Sequence, residues 1–442
     1  MAGIPLPAVF FSRSRHNPDV AANPLLLYYP RQRRNLVIAT AQTIAAPASG
    51  APTATQTARP ARLISLDVFR GITIAAMILV NDPGSWSHIY PPLEHADWNG
   101  WTPTDLIFPA FLFMVGVSMT LSFASRVSRG VSRGALAIHV LRRSALIFGI
   151  GLFLNGFPSF DFSSIRIMGV LQRIAVCYLV AGLLYLLLSR GKEGADENAR
   201  ARSKSAMIAG IAVILLVGYW ALLKFVPVPG YGAGHLGKDD NLGAYIDRTL
   251  MGGHLWSESM TWDPEGLLST LPAIATLLIG ILAGEWLRSD REGKRKAAGL
   301  VAVGLVLMAV GQLLHPYFPI NKNLWTSTFV LFTGGFAMLA LAACYWAVDL
   351  RAWRRWAAPW LVFGMNAILA YALAAIVSEI STDFEFSGAQ GRDTTLHGWV
   401  YQRFFTPHFS PVNASLAFGI FFVFLIFLLL WPLYRWKIFV RI

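Results

Sequence analysis

The chain has 442 residues, of which 55% are hydrophobic, 13% aromatic and only 14% charged, with 37 Lys and Arg against 24 Asp and Glu. That balance is too apolar and too sparsely charged for an ordinary soluble globular protein and points to a polytopic membrane protein. The net charge of +13 does not argue for nucleic acid, because the Lys and Arg lie in the gaps between apolar runs, where membrane proteins carry them.

Residues 1 to about 62 mix Pro, Ala, Thr and Arg without periodicity, so a disordered cytoplasmic leader is expected there, ahead of a membrane domain over 63–442. The piece from Arg31 to Ala51 has basic residues, a short apolar run and small residues, as a weak signal peptide would. Cleavage there would leave the new N-terminus outside, against the charge pattern described next. Cys177 and Cys344 both lie inside apolar runs, so neither a disulfide framework nor a zinc site is expected.

Ten apolar segments follow, near 66–81, 105–125, 140–156, 166–188, 205–225, 266–287, 297–315, 325–347, 358–380 and 414–434. Each has about the length that crosses a roughly 30 Å hydrocarbon core as helix. The predicted fold class is therefore all-α, with about ten transmembrane helices. Of the 37 Lys and Arg, 28 fall in the leader, in the gaps near 126–143, 190–204, 288–296 and 351–355, and in the tail from Arg435. The alternate gaps hold 6, which places both termini in the cytoplasm.

The first connection, Asn81 to Thr104, then faces outward, and it carries Asp82, Glu94 and Asp97 but no Lys or Arg. The outer stretches near 226–265 and 381–413 are long and rich in Gly, Trp, His and acids, which marks them as functional more than connecting.

A charge inside a membrane helix is costly unless it is paired or faces a watery cavity. Asp67 and Arg70 share a helical face, either as a structural ion pair or with Arg70 set near an anionic ligand at a cavity mouth. Arg173 lies deeper and has no carboxylate near it in sequence, so it is expected to face the bundle interior. His95 is the residue best suited to proton transfer or to carrying an acyl group, with Asn81 before it and Asp105 ten residues on. An Asn or Asp beside a histidine can fix its tautomer or stabilise its cation.

Other motifs carry less. Gly130 to Gly134 spells the G-x-S-x-G hydrolase elbow by letter, but without a preceding strand. His88, Glu94 and His95 lack metal-ligand spacing, so no metal is expected, and no phosphate-binding or dinucleotide fingerprint occurs.

Seven ordered pieces resemble the heparan-α-glucosaminide N-acetyltransferase family of transmembrane acyltransferases. They are SLDVFRG (65–71), VN (80–81), HADWNGWTPTDLIFPAFLFMVG (95–116), IRIMGVLQR (165–173), DPEGLLSTLPAI (263–274), PINKNLWTSTF (319–329) and GMNAILAY (364–371). The resemblance implies that cytoplasmic acetyl-CoA donates an acetyl group to an amino sugar or glycan on the far side. His95 is similar to the family's catalytic histidine and Asn81 to the asparagine assisting it, with Asn99, Asp105 and Pro109 in the same block.

For the donor, Arg70, Arg142, Arg143 and Arg173 are the candidate basic groups. For the acceptor or thioester, the candidates are Asn99 and the outer trio Asn321, Lys322 and Asn323, whose other reading is a hydrated helix cap. Against the lysosomal members of the family, the expectation for this chain is a short leader in place of a large luminal domain and an extra first helix. Its connection from Asn81 to His95 is also longer, with Pro91 and Pro92. A bacterial short form in an inner membrane is the expectation, which turns the acceptor away from heparan sulfate. The expected partners are acetyl-CoA, the acceptor glycan and the lipid bilayer, with no nucleic acid, and the candidate assembly is a homodimer. The competing reading is a transporter of amino sugars or oligosaccharides, and a structural scaffold would leave the intramembrane charges without a purpose.

Overall fold

The apolar runs become long helices because a backbone without water must satisfy its own polar groups. In the structure, a computed structural model, residues 63–189, 197–387 and 393–440 are described. The leader expected over 1–62, with its signal-like piece, lies outside them. The helices are α1 (Ile64–Asn81), α2 (Ile107–Val127), α3 (Arg133–Gly156), α4 (Val170–Leu188), α5 (Glu197–Phe225), α6 (Leu242–Met251) and α7 (Thr270–Arg288). They continue as α8 (Gly293–Leu314), α9 (Ser327–Cys344), α10 (Ala358–Met365), α11 (Ala367–Asp383), α12 (Leu396–Phe404) and α13 (Pro411–Arg435).

Among the described residues nine helices are long and apolar enough to cross a membrane, and the bent pair α10–α11 makes a tenth span. The chain is an all-α polytopic membrane protein. Its one sheet among the described residues is a short antiparallel hairpin of β1 (Glu385–Ser387) and β2 (Asp393–Thr395), with Phe386 opposite Thr394.

Several boundaries differ from the sequence reading. Residues 166–169 are extended, so α4 begins only at Val170, and α7 begins at Thr270, four residues later than its apolar run. The single span expected over 358–380 is broken at Asn366, where the axis turns by 73°. At the break the Asn366 side chain is tied to the tail: its Nδ2 donates to Ile438 O (3.1 Å) and its Oδ1 accepts from Val440 N (2.9 Å). Segments too short to read from periodicity, α6 and α12, cover the long loops.

The most buried helices are α2 and α7, while α3, α5, α8 and α13 bury much less of their surface and form the lipid-facing periphery. Close crossings build the interior. A Cβ on Gly116 of α2 would lie 2.2 Å from Leu277 O of α7, and one on Gly71 of α1 would lie 1.8 Å from Trp360 O of α10. Without a hydrophobic difference between lipid and side chain, such small-residue contacts are what hold membrane helices together. Because successive spans cross in opposite senses, the N-termini of α2, α4, α7 and α9 meet at one end of the bundle with the C-termini of α1, α3 and α8.

Candidate active site

That end gathers four connections, 82–106, 157–169, 252–269 and 315–326. The first holds His95 through local chemistry. Thr102 caps the short 3-10 turn Pro103–Leu106, and Asp105, three residues on, closes a reciprocal capping box. Asp105 Oδ2 accepts from Thr102 N (3.0 Å), Thr102 Oγ1 (3.2 Å) and Ala96 N (3.1 Å), which fixes a carboxylate that is 1% exposed. Its other oxygen lies 2.7 Å from His95 Nδ1. An ionised carboxylate only accepts, so the ring proton sits on Nδ1 and Nε2 keeps its lone pair. The imidazole is 47% exposed and can be reached from the end of the bundle.

The 315–326 connection is tied to this loop. Gly100 N donates to Ile320 O (2.7 Å) and Asn321 Nδ2 to Asn99 Oδ1 (3.2 Å). Asn321 is fully buried and its Oδ1 also takes Leu324 N (2.8 Å), so it acts as a brace. Next to it, Lys322 Nζ lies 3.0 Å from His95 Nε2. Asn323 is half-buried beside them. Trp98 donates to Leu236 O (2.7 Å) and meets Trp262 edge to face at 5.1 Å, and Trp262 meets Trp256 at 5.7 Å. Indole faces of this kind suit the apolar faces of a sugar ring.

Not every expected residue joins the imidazole. Asn81 ends α1 exposed and makes no hydrogen bond to His95 among the described residues. Arg70 pairs with Asp67 and donates to Gly364 O (2.9 Å), so it is engaged at the α1–α10 crossing. Arg142 is exposed on α3, while the Arg143 guanidinium stands 4.9 Å from the Tyr178 ring centre with its Nε unpartnered. Arg173 is fully buried, donates to Ser269 Oγ and to Gly266 O (3.2 Å), and stacks 4.9 Å from the Trp325 ring centre. Its Nε and Nη1 have no hydrogen-bond partner among the described residues, which leaves donors for a ligand.

Sequence reading missed the acidic half of the site. Arg166 donates through Nε and Nη2 to both oxygens of Asp263 (2.8 and 2.6 Å), and Nη2 also reaches Glu265 Oε2 (2.6 Å). Asp263 is 3% and Glu265 5% exposed. Burial opposes the charge of Glu265, yet Arg166, Arg173 and Lys322 together hold it below the usual carboxylate range. For Asp263 burial wins over Arg166 and the carboxyl is pushed up. The available signal was two acids two residues apart immediately before an apolar segment. Among the described residues no group of three His, Cys, Asp or Glu is placed to hold a metal.

Fold and site together define a polytopic membrane protein with an acid-oriented histidine opening at one end of its bundle. Residues 62–216 match the family described as heparan-alpha-glucosaminide N-acetyltransferase, catalytic. The chain is 33% identical over 357 residues to the human heparan-alpha-glucosaminide N-acetyltransferase, covering 71% of this chain and 53% of that protein. It is 32% identical over 352 residues to the mouse protein of that name, covering 70% and 53%. The chain is thus a relative of these N-acetyltransferases and spans about half the length of the curated relatives it matches.

Proposed function

We propose that the chain is a transmembrane N-acetyltransferase that moves the acetyl group of cytoplasmic acetyl-CoA to the amine of an amino sugar or glycan across a bacterial inner membrane. The observation that carries this reading is the His95–Asp105 pair, a base with its tautomer fixed and Nε2 free, on a chain related to enzymes of that name. The acceptor amine loses its proton to Nε2 as its nitrogen attacks the thioester carbonyl, or the acetyl passes first through His95. Asp105 stabilises the imidazolium, and Asn81 assists at the same mouth. Asn99, Lys322 and Asn323 meet the acceptor or thioester, and Asn321, expected among them from sequence, serves behind them as the buried brace. Arg142, Arg143 and Arg173 take the anionic and polar parts of the donor, with Arg70 near its entry; the unpartnered nitrogens of Arg143 and Arg173 support this.

The test is calorimetric titration of the purified protein with acetyl-CoA beside an acetyl-transfer assay to glucosamine. Saturable binding is expected, and His95→Ala lowers transfer by about a thousandfold or more while changing affinity less than about threefold. Absence of saturable binding would sink the reading. The broken span α10–α11 favours a second reading, a transporter, since interrupted helices line substrate paths. Uptake of labelled amino sugar that survives His95→Ala, with no affinity for acetyl-CoA, would select it.

A further inference from the structure

The loop between α8 and α9 brings an ammonium to the imidazole. Lys322 Nζ lies 3.0 Å from His95 Nε2, 3.2 Å from Nδ1 and 4.0 Å from Asp105 Oδ1, and its side chain is 17% exposed. The two ring nitrogens are joined through one carbon. An atom nearly equidistant from both cannot lie along either lone pair, and edge-on it would run into that carbon. Nζ therefore sits over the ring face, and the in-plane lone pair of Nε2 remains open to an incoming amine.

The position is built from behind. Ile320 N donates to His315 Nδ1 (2.9 Å), Asn321 N to Thr326 Oγ1 (3.0 Å), and the loop closes on Trp325, fully buried at φ 51°. A non-glycine residue in the left-handed region persists only where its surroundings impose it. Burial and, to a smaller extent, the nearby Arg173 charge pull the Lys322 ammonium below the ordinary lysine range, and Asp105 and Glu265 pull it back. Glu265 is itself clamped by Arg166.

We propose that Lys322 is a catalytic residue that donates to the thioester carbonyl oxygen as it becomes an oxyanion. The proposal rests on the acetyl-transfer reading above. The acceptor nitrogen bonds to the carbonyl carbon, the C=O pair moves onto oxygen, and that oxygen accepts a hydrogen bond from Nζ–H without taking the proton. The amine proton passes to His95 Nε2. The oxygen pair then re-forms C=O, the C–S bond breaks with its electrons to sulfur, and the thiolate takes the proton from His95. Lys322 ends unchanged.

The experiment measures kcat and KM for acetyl-CoA and glucosamine on the full chain, for wild type, Lys322→Met, Lys322→Gln and Lys322→Arg. Lys322→Met is expected to lower kcat about 100- to 1,000-fold, as loss of one oxyanion donor does elsewhere, with KM for acetyl-CoA within about threefold. Lys322→Arg recovers at least about tenfold of that. Lys322→Met with kcat within threefold of wild type, or with KM alone raised, overturns the proposal while leaving acetyl transfer standing. Should Lys322→Met not fold, a Lys322→Gln variant with kcat within threefold of wild type overturns it. A wild type that neither binds acetyl-CoA nor transfers acetyl removes both readings, which separates the two failures.

Discussion

Asp247 on α6 is 3% exposed and accepts Leu267 N at 2.9 Å, so it pins the outer helix to the loop that carries Asp263 and Glu265. Burial pushes its carboxyl up to about 6 from an ordinary 3.8. A carboxyl raised on folding contributes its stability fully below the unfolded value and loses it as pH rises through the folded one. The loss here accumulates between about pH 4 and pH 6 and amounts to roughly 3 kcal/mol above that window. Asp247→Asn keeps the acceptor and removes the charge. The variant is expected to melt within a degree or two of wild type at pH 4 and several degrees higher at pH 8; an equal difference at both would refute the assignment. The same residue scale shows what sequence can and cannot reveal. His95 and Asp105 were legible because ten residues and one capping turn join them. Arg166 was visible only as a charge near a helix end, since Asp263 and Glu265 lie 97 and 99 residues away. Arg173 had no carboxylate close in sequence, and its partners, Gly266 and Ser269, come from the same distant loop.

Among the elements, the α1–α10 crossing is the tightest test of why the spans sit where they do. A Cβ at Gly71 would meet Trp360 O at 1.8 Å and one at Gly364 would meet Asp67 O at 1.9 Å, and both obstacles are backbone, which cannot swing aside. Gly364→Ala must therefore part the helices and loosen the Arg70 hydrogen bond to Gly364 O, for a cost at or above the usual 1–3 kcal/mol or so of overpacking. In α5, Gly218 has nothing within 4 Å of its built Cβ, and Gly218→Ala is expected to be neutral or slightly stabilising. Thermal unfolding of the two variants in detergent compares them directly, and equal effects would mean that the crossing is slack. The ten spans were readable as apolar runs of sufficient length. The break inside the ninth was not, because GMNAILAY continues the apolar pattern through Asn366, whose side chain is tied to residues 438–440, some seventy positions later. Nor were α6 and α12, which are shorter than the window over which periodicity speaks.

For the whole molecule, the sequence assigns sides by charge, and the bundle assigns ends by geometry. His95, Asp105, Arg166, Asp263, Glu265 and Lys322 gather at one end, while Arg133, Lys204, Arg288 and Arg435 belong to the other, where α3, α5 and α8 begin and α7 and α13 finish. The basic end holds most of the Lys and Arg, so it faces the cytoplasm. That orientation turns the histidine to the outside, and under the proposed acetyl transfer a cytoplasmic donor would have to present its thioester near the far face. Both native cysteines are buried, Cys177 fully and Cys344 at 9%, so an impermeant maleimide meets little background. Trp86, 69% exposed in the His95 connection, and Ser128, exposed after α2, sit at opposite ends. Trp86→Cys is expected to label in intact cells and Ser128→Cys only after permeabilisation. The reverse pattern would put His95 in the cytoplasm, and the proposed direction of transfer would fall with it even if acetyl transfer itself survived in detergent.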